Sequence, residues 1–160
     1  MRSPKEGYLA RSPGGPNGRL TWAPVVLVVE DDPGSAALLA DLLGDDGYTV
    51  WTLATALGVQ GEIRRLRPHV IVLDLGLPYR SGAALLADLK ADPDTAPIPV
   101  IVVSALLEAL PPERAALAAA LLAKPFDVAE LLAAVHAAGS LTLAQLCRCA
   151  GRAAPRPFLN

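Results

Sequence analysis

Val70-Ile71-Val72-Leu73-Asp74-Leu75-Gly76-Leu77-Pro78 is an apolar, β-branched run that ends on a carboxylate and then meets a glycine and a proline. Such a run reads as a strand covered on both faces, and the Gly and Pro that follow break it. Asp74 therefore stands at the tip of a core strand. Val25-Val26-Leu27-Val28-Val29 ends the same way, on Glu30-Asp31-Asp32. Two buried strands that both deliver acids at their C-terminal ends predict one acidic pocket. Buried carboxylates without partners are costly, so such a pocket calls for a cation.

Outward from these two strands, the chain alternates strand and helix. After the first strand (25–30), Pro33-Gly34-Ser35 opens a helix with Leu38, Leu39, Leu42 and Leu43 on one face, and Asp45-Asp46-Gly47 ends it. Residues 48–52 form a second strand, and 54–66 a second helix that Gly58 and Gly61 weaken. A third helix covers 81–90, and a fourth strand covers 97–103, with Ser104 at its end. Pro111-Pro112 opens a fourth helix. Residues 121–123 form a short fifth strand that ends on Lys124-Pro125, and Asp127 caps a last helix to about Ala138. Strands separated by helices imply parallel βαβ units with right-handed crossovers, hence an α/β, doubly wound five-stranded parallel sheet. Ligands of such sheets bind beyond the carboxyl ends of the strands. Glu30, Asp31, Asp74, Ser104 and Lys124 all fall at that edge.

Composition narrows the function classes. Hydrophobic residues make up 52% of 160, enough for a core, while aromatics are only 4%, so Ala, Leu and Val must build it. Residues 24–138 carry 7 basic and 15 acidic side chains, whereas 1–23 carry 4 and 1, and 139–160 carry 3 and none. An acidic body between sparse basic ends argues against direct DNA binding by the domain. No apolar run reaches the roughly 18 residues of a membrane span. Ser12-Pro13-Gly14-Gly15-Pro16-Asn17-Gly18 interrupts any signal-peptide core, so a cytoplasmic location is expected. Residues 1–23 read as a disordered extension, 24–138 as the domain, and 139–160 as a short tail with no output domain. Cys147 and Cys149 are expected to be incidental thiols, because a metal site needs about four ligands.

Val28-Val29-Glu30-Asp31, Asp74-Leu75-Gly76-Leu77-Pro78 with Gly82, Pro99-Val100-Ile101-Val102-Val103-Ser104-Ala105 and Lys124-Pro125-Phe126 occur in this order. Together they resemble the CheY-like receiver domain of two-component response regulators, over roughly residues 24–138. The resemblance implies a flavodoxin-like sheet of order 2-1-3-4-5, an order that belongs to the family and is not read from the spacing. It implies that Asp74 is the phosphoacceptor, since a carboxylate can attack phosphorus to give an acyl phosphate. It implies Mg²⁺ as cofactor, with Asp31, Asp74 and the Gly76 carbonyl as direct ligands and Glu30 acting through a coordinated water. Lys124 would hold one phosphoryl oxygen, and the Ser104 hydroxyl another, drawing in the loop after strand four.

The function so implied is a single-domain response regulator. It would take its phosphoryl group from a histidine kinase or phosphotransfer protein and signal to a downstream protein. It would not be an enzyme, apart from self-phosphorylation from a donor and slow autodephosphorylation. The alternative is a degenerate receiver that binds partners independently of phosphorylation. Leu121, where the family usually has an aromatic, favours that alternative. A haloacid-dehalogenase-type hydrolase would need an Asp two residues after the nucleophile, where Gly76 stands. Ala118-Ala119-Ala120-Leu121-Leu122 replaces the family's acidic stretch and makes the helix 4, strand 5 and helix 5 face apolar, a candidate homodimer surface. Asp32 is expected to cap a helix, Gly82 to serve backbone geometry, and His69 to be exposed.

Overall fold

Parallel pairing of five short apolar strands organises residues 23–150, which the computed structural model describes, with side chains through Ser140. In chain order the elements are β1 (Val25–Val29), α1 (Pro33–Asp45), β2 (Thr49–Leu53), α2 (Val59–Leu66), β3 (Val70–Leu73), α3 (Gly82–Ala91) and β4 (Val100–Ser104). A 3₁₀ turn (Leu107–Ala109), α4 (Pro112–Ala115), β5 (Ala120–Ala123) and α5 (Val128–Ala150) follow. The sheet order is β2-β1-β3-β4-β5, and every pair is parallel.

The period-2 alternation of strand side chains explains the two-sided core. Leu27, Val29, Ile71, Leu73, Val100 and Val102 face Val59, Ile63, Leu85, Leu86 and Leu89 of α2 and α3. Their strand neighbours Val26, Val28, Val70, Val72, Ile101 and Val103 face Leu39 and Leu43 of α1 and Leu131 and Val135 of α5. Burying each such side chain fully contributes roughly 1.5–3 kcal/mol, so with few aromatics the aliphatic strands carry the fold.

Register then positions the acids. Val29 pairs with Leu73, and the Asp74 amide donates to the Val29 carbonyl at 3.0 Å, so Glu30 and Asp74 leave the sheet side by side. On the other side Ser104 pairs with Ala123, and the Lys124 amide donates to the Ser104 carbonyl at 3.1 Å. Lys124 is thereby delivered to the same edge. The Lys124–Pro125 bond is cis.

Several boundaries differ from expectation. Helix α2 starts at Val59, not 54, because Gly58 takes a left-handed φ of 80° that ends the preceding turn. Strand β4 starts at Val100, not 97, since Pro97 and Pro99 cannot donate to a ladder, although the Pro99 carbonyl accepts from the Ile71 amide at 3.0 Å. Helix α4 is a single turn, and the alanines after it turn into β5 at Ala120, where the Ala119 amide donates to the Val100 carbonyl at 2.8 Å. Helix α5 continues past Ala138 to Ala150. The expectation of an exposed His69 is wrong: the residue is buried. Its Nδ1 accepts the Val25 amide at 3.0 Å, and its own amide donates to the Val25 carbonyl at 2.8 Å. The imidazole thus satisfies an N–H at the head of β1.

Among the described residues no helix is long and apolar enough to cross a membrane. The expected N-terminal extension through residue 22, the chain after residue 150, and the side chains of Cys147 and Cys149 lie outside what is described.

Candidate functional site

The carboxyl ends of β1 and β3 and the residue after β5 converge on one pocket. Asp74 is almost buried, and its carboxylate is oriented twice: Oδ1 accepts the Gly76 amide at 3.1 Å, and Oδ2 accepts the Lys124 ammonium at 3.0 Å. Glu30 is buried more deeply. Its Oε2 accepts from Lys124 at 2.6 Å, and its Oε1 accepts the Asp32 amide at 3.3 Å. Asp31 is exposed at the mouth. Each of Glu30, Asp31 and Asp74 offers a carboxylate oxygen, and the three oxygens lie within 4.8 Å of one another. Ser104 is buried at the end of β4, where its hydroxyl oxygen accepts the Leu106 amide at 3.2 Å and so pins the start of the β4–α4 loop.

The electrostatics follow from burial against partners. Burial drives the Glu30 carboxyl above its ordinary range; the Lys124 hydrogen bond opposes this, and the Asp74 charge reinforces it. Burial would raise Asp74 too. Hydrogen bonding by the Ser104 hydroxyl, the Gly76 amide and Lys124 outweighs it and holds Asp74 below the usual range. Burial disfavours the charged Lys124, yet Glu30 and then Asp74 outweigh it and raise its pKa. Three carboxylates share the pocket with one ammonium, which bonds Glu30 and Asp74, so formal negative charge is in excess. The donor set is all oxygen, and a hard divalent cation such as Mg²⁺ fits both its charge and its chemistry.

Of the residues singled out in the sequence, Glu30, Asp31, Asp74 and Lys124 come together, and Ser104 lies beside Asp74. Gly76 sits on the loop just beyond, with its amide committed to Asp74. Asp32 caps α1, its Oδ2 accepting the Ser35 amide at 2.7 Å, and does not join the pocket. Gly82 matters through close approach rather than φ. A Cβ there would lie 2.1 Å from the Asp74 carbonyl oxygen and 2.7 Å from Leu75 Cα. The first residue of α3 is thus pressed against the phosphoacceptor candidate's own backbone.

Tyr79 is a feature that sequence reasoning missed. It holds a φ of 64°, the Arg80 amide closes a tight turn onto the Pro78 carbonyl at 2.8 Å, and the ring is 88% exposed. A bulky residue with positive φ is a genuine outlier, and nothing in Pro78-Tyr79-Arg80 announces it.

A family model described as the response regulator receiver domain matches residues 26–136. The chain is 35% identical over 116 residues to the DNA-binding dual master transcriptional regulator RpaA of Synechocystis sp., covering 71% of this chain and 48% of that protein. It is 34% identical over 115 residues to Protein Rrf1 of Nitratidesulfovibrio vulgaris, covering 71% and 80%. Among solved structures, a sensor protein from Polaromonas sp. JS666 superposes with a TM-score of 0.69 at 29% identity, covering 74% of this chain and 98% of that one. The chain spans about half the length of the transcriptional regulators it matches.

Proposed function

This chain belongs to the response regulator receiver domain family, and from that premise we propose that it takes a phosphoryl group onto Asp74 from a histidine kinase or a histidine phosphotransfer protein. The P–N bond of the donor phosphohistidine breaks, its electron pair stays on the imidazole, and an Asp74 carboxylate oxygen forms the new O–P bond. The observation that carries this reading is the gathering of the Glu30, Asp31 and Asp74 carboxylates at the carboxyl edge of the sheet, with the Lys124 ammonium bonded to Glu30 and Asp74.

The chain's own groups divide the work. The Gly76 amide fixes one Asp74 oxygen and so presents the other. Lys124 exchanges its bond to Asp74 Oδ2 for one to a phosphoryl oxygen, and the charge it brings offsets that of the incoming anion. The buried Ser104 hydroxyl donates to a second phosphoryl oxygen; the β4–α4 loop, already tied to it through the Leu106 amide, follows. Asp31, Asp74, the Gly76 carbonyl and, through water, Glu30 would hold Mg²⁺, which when bound supplies charge neutralisation between carboxylate and phosphoryl group. The protein acts as a switch, not as an enzyme with turnover, and any loss of the acyl phosphate to water is slow. Exposed Leu117 and Leu121 offer an apolar face for a second copy or a downstream partner.

Incubation with Mg²⁺ and acetyl phosphate followed by intact mass tests the proposal. One added phosphoryl group, abolished in Asp74→Asn, is expected. A wild-type chain that takes up none would overturn it and favour a phosphorylation-independent binding module, the reading that the aliphatic Leu121 supports.

A further inference from the structure

The connection between β4 and β5, residues 105–119, is weakly anchored. Leu110 is its one buried residue, α4 is a single turn, and Leu106 and Leu117 are exposed. Segments with few buried contacts lie at the low-stability end of a fold and are the ones that change state. One side chain of this segment reaches the neighbouring helix α3 on the same face of the sheet. Arg114 Nη1 donates to the Ala83 carbonyl at 2.7 Å, over 31 residues of sequence.

Ala83 is not an arbitrary acceptor. It follows Gly82, whose missing Cβ would stand 2.1 Å from the Asp74 carbonyl oxygen, and the Gly82 amide donates to the Leu75 carbonyl at 3.0 Å. Backbone therefore touches backbone between Asp74 and the first turn of α3, with no side chain between to absorb a shift. Close-packed contacts of this kind transmit displacement instead of damping it. The planar, permanently charged guanidinium, holding that turn from α4, is a suitable reader of its position.

We propose that Arg114 is a positioning residue that couples the Asp74 backbone, through Gly82 and the Ala83 carbonyl, to the conformation of residues 105–119. It gives the chain a route from site to α4 that does not need the side chain at position 121. The proposal rests on Asp74 as the place where the state changes, but the contact itself is independent of how that change is produced.

The experiment is amide hydrogen exchange on the full chain, with and without Mg²⁺ and acetyl phosphate, alongside intact mass. In the wild type, phosphorylation is expected to change exchange in residues 105–119 by at least about fivefold, the low end of ordinary coupling between sites. Arg114→Met is expected to take up the same phosphoryl group by mass but to lose most of that response. Arg114→Lys, which can still donate to Ala83, is expected to recover part of it. A response in Arg114→Met equal to that of the wild type, or a phosphorylated wild type with unchanged exchange in 105–119, would overturn the coupling.

If the wild type takes up no phosphoryl group, the phosphoacceptor reading fails but the coupling is still decided. Asp74→Asn should then alter exchange in 105–119 when Arg114 is present and not in the Arg114→Met background. Equal effects in both would end the proposal.

Discussion

Replacing Lys124 with methionine keeps an unbranched apolar stem, one heavy atom shorter, and deletes the ammonium that bonds Glu30 Oε2 at 2.6 Å and Asp74 Oδ2 at 3.0 Å. The side chains involved are 22%, 2% and 11% exposed for Lys124, Glu30 and Asp74, so all three groups are largely withdrawn from water. Removing one partner of a buried ion pair costs roughly 3–5 kcal/mol, because the other charge is left uncompensated. The pocket opens to solvent on the Asp31 side, which places the loss near the lower end, about 3 kcal/mol. That is a large fraction of the stability of an ordinary domain, which is on the order of 5–15 kcal/mol.

Urea unfolding in chelator measures the loss. Adding Mg²⁺ should then recover most of it, since a ligand at 100 times its Kd contributes about 2.7 kcal/mol. The variant should gain more from Mg²⁺ than the wild type does, because the ammonium no longer competes for the same carboxylate oxygens. A loss below about 1 kcal/mol, or a loss that Mg²⁺ leaves unchanged, would refute the view that Lys124 balances a cation-binding pocket.

Three further outcomes are expected. Gly82→Ala forces a Cβ to within 2.1 Å of the Asp74 carbonyl oxygen, with backbone on both sides, so chemical denaturation should show a loss of about 3 kcal/mol, and a change under about 1 would contradict the packing. Tyr79→Gly relieves a φ of 64° while giving up a ring that is 88% exposed, and should raise stability by about 1 kcal/mol in thermal or urea unfolding; destabilisation would show that the ring has a packing role. Burial lowers the His69 pKa in the folded chain. The unfolded chain therefore binds the extra proton first, and stability should fall as pH drops below about 6.5. His69→Asn retains an acceptor for the Val25 amide without titrating, so the wild-type minus variant difference in unfolding free energy should shrink through that range; a pH-independent difference would contradict it.

Much of the site was legible from local pattern. The β-branched runs 25–29 and 70–73 declared strands buried on both faces, and the acids after them had to emerge at the carboxyl edge. Ser104 and Lys124 were placed there by the same logic. Helix lengths were less legible, because alanine and leucine after Pro112 satisfy a helix or a strand, and pairing with β4 decided for the strand. His69 was misread because its acceptor role depends on Val25, 44 residues away.

Alternating apolarity is a property of neighbouring residues, so the chain alone determined which segments are core strands, which helices cover them, and at which end the carboxylates gather. The strand order could be named only by likeness to a family, since no local pattern says which parallel strand lies beside which. Contacts between separate elements were decided by packing alone: Lys124 shared between Glu30 and Asp74, Gly82 against the Asp74 carbonyl, Arg114 on Ala83. Each depends on a few ångströms of separation between elements, a quantity set by the summed shapes of the core side chains and not carried by any single residue.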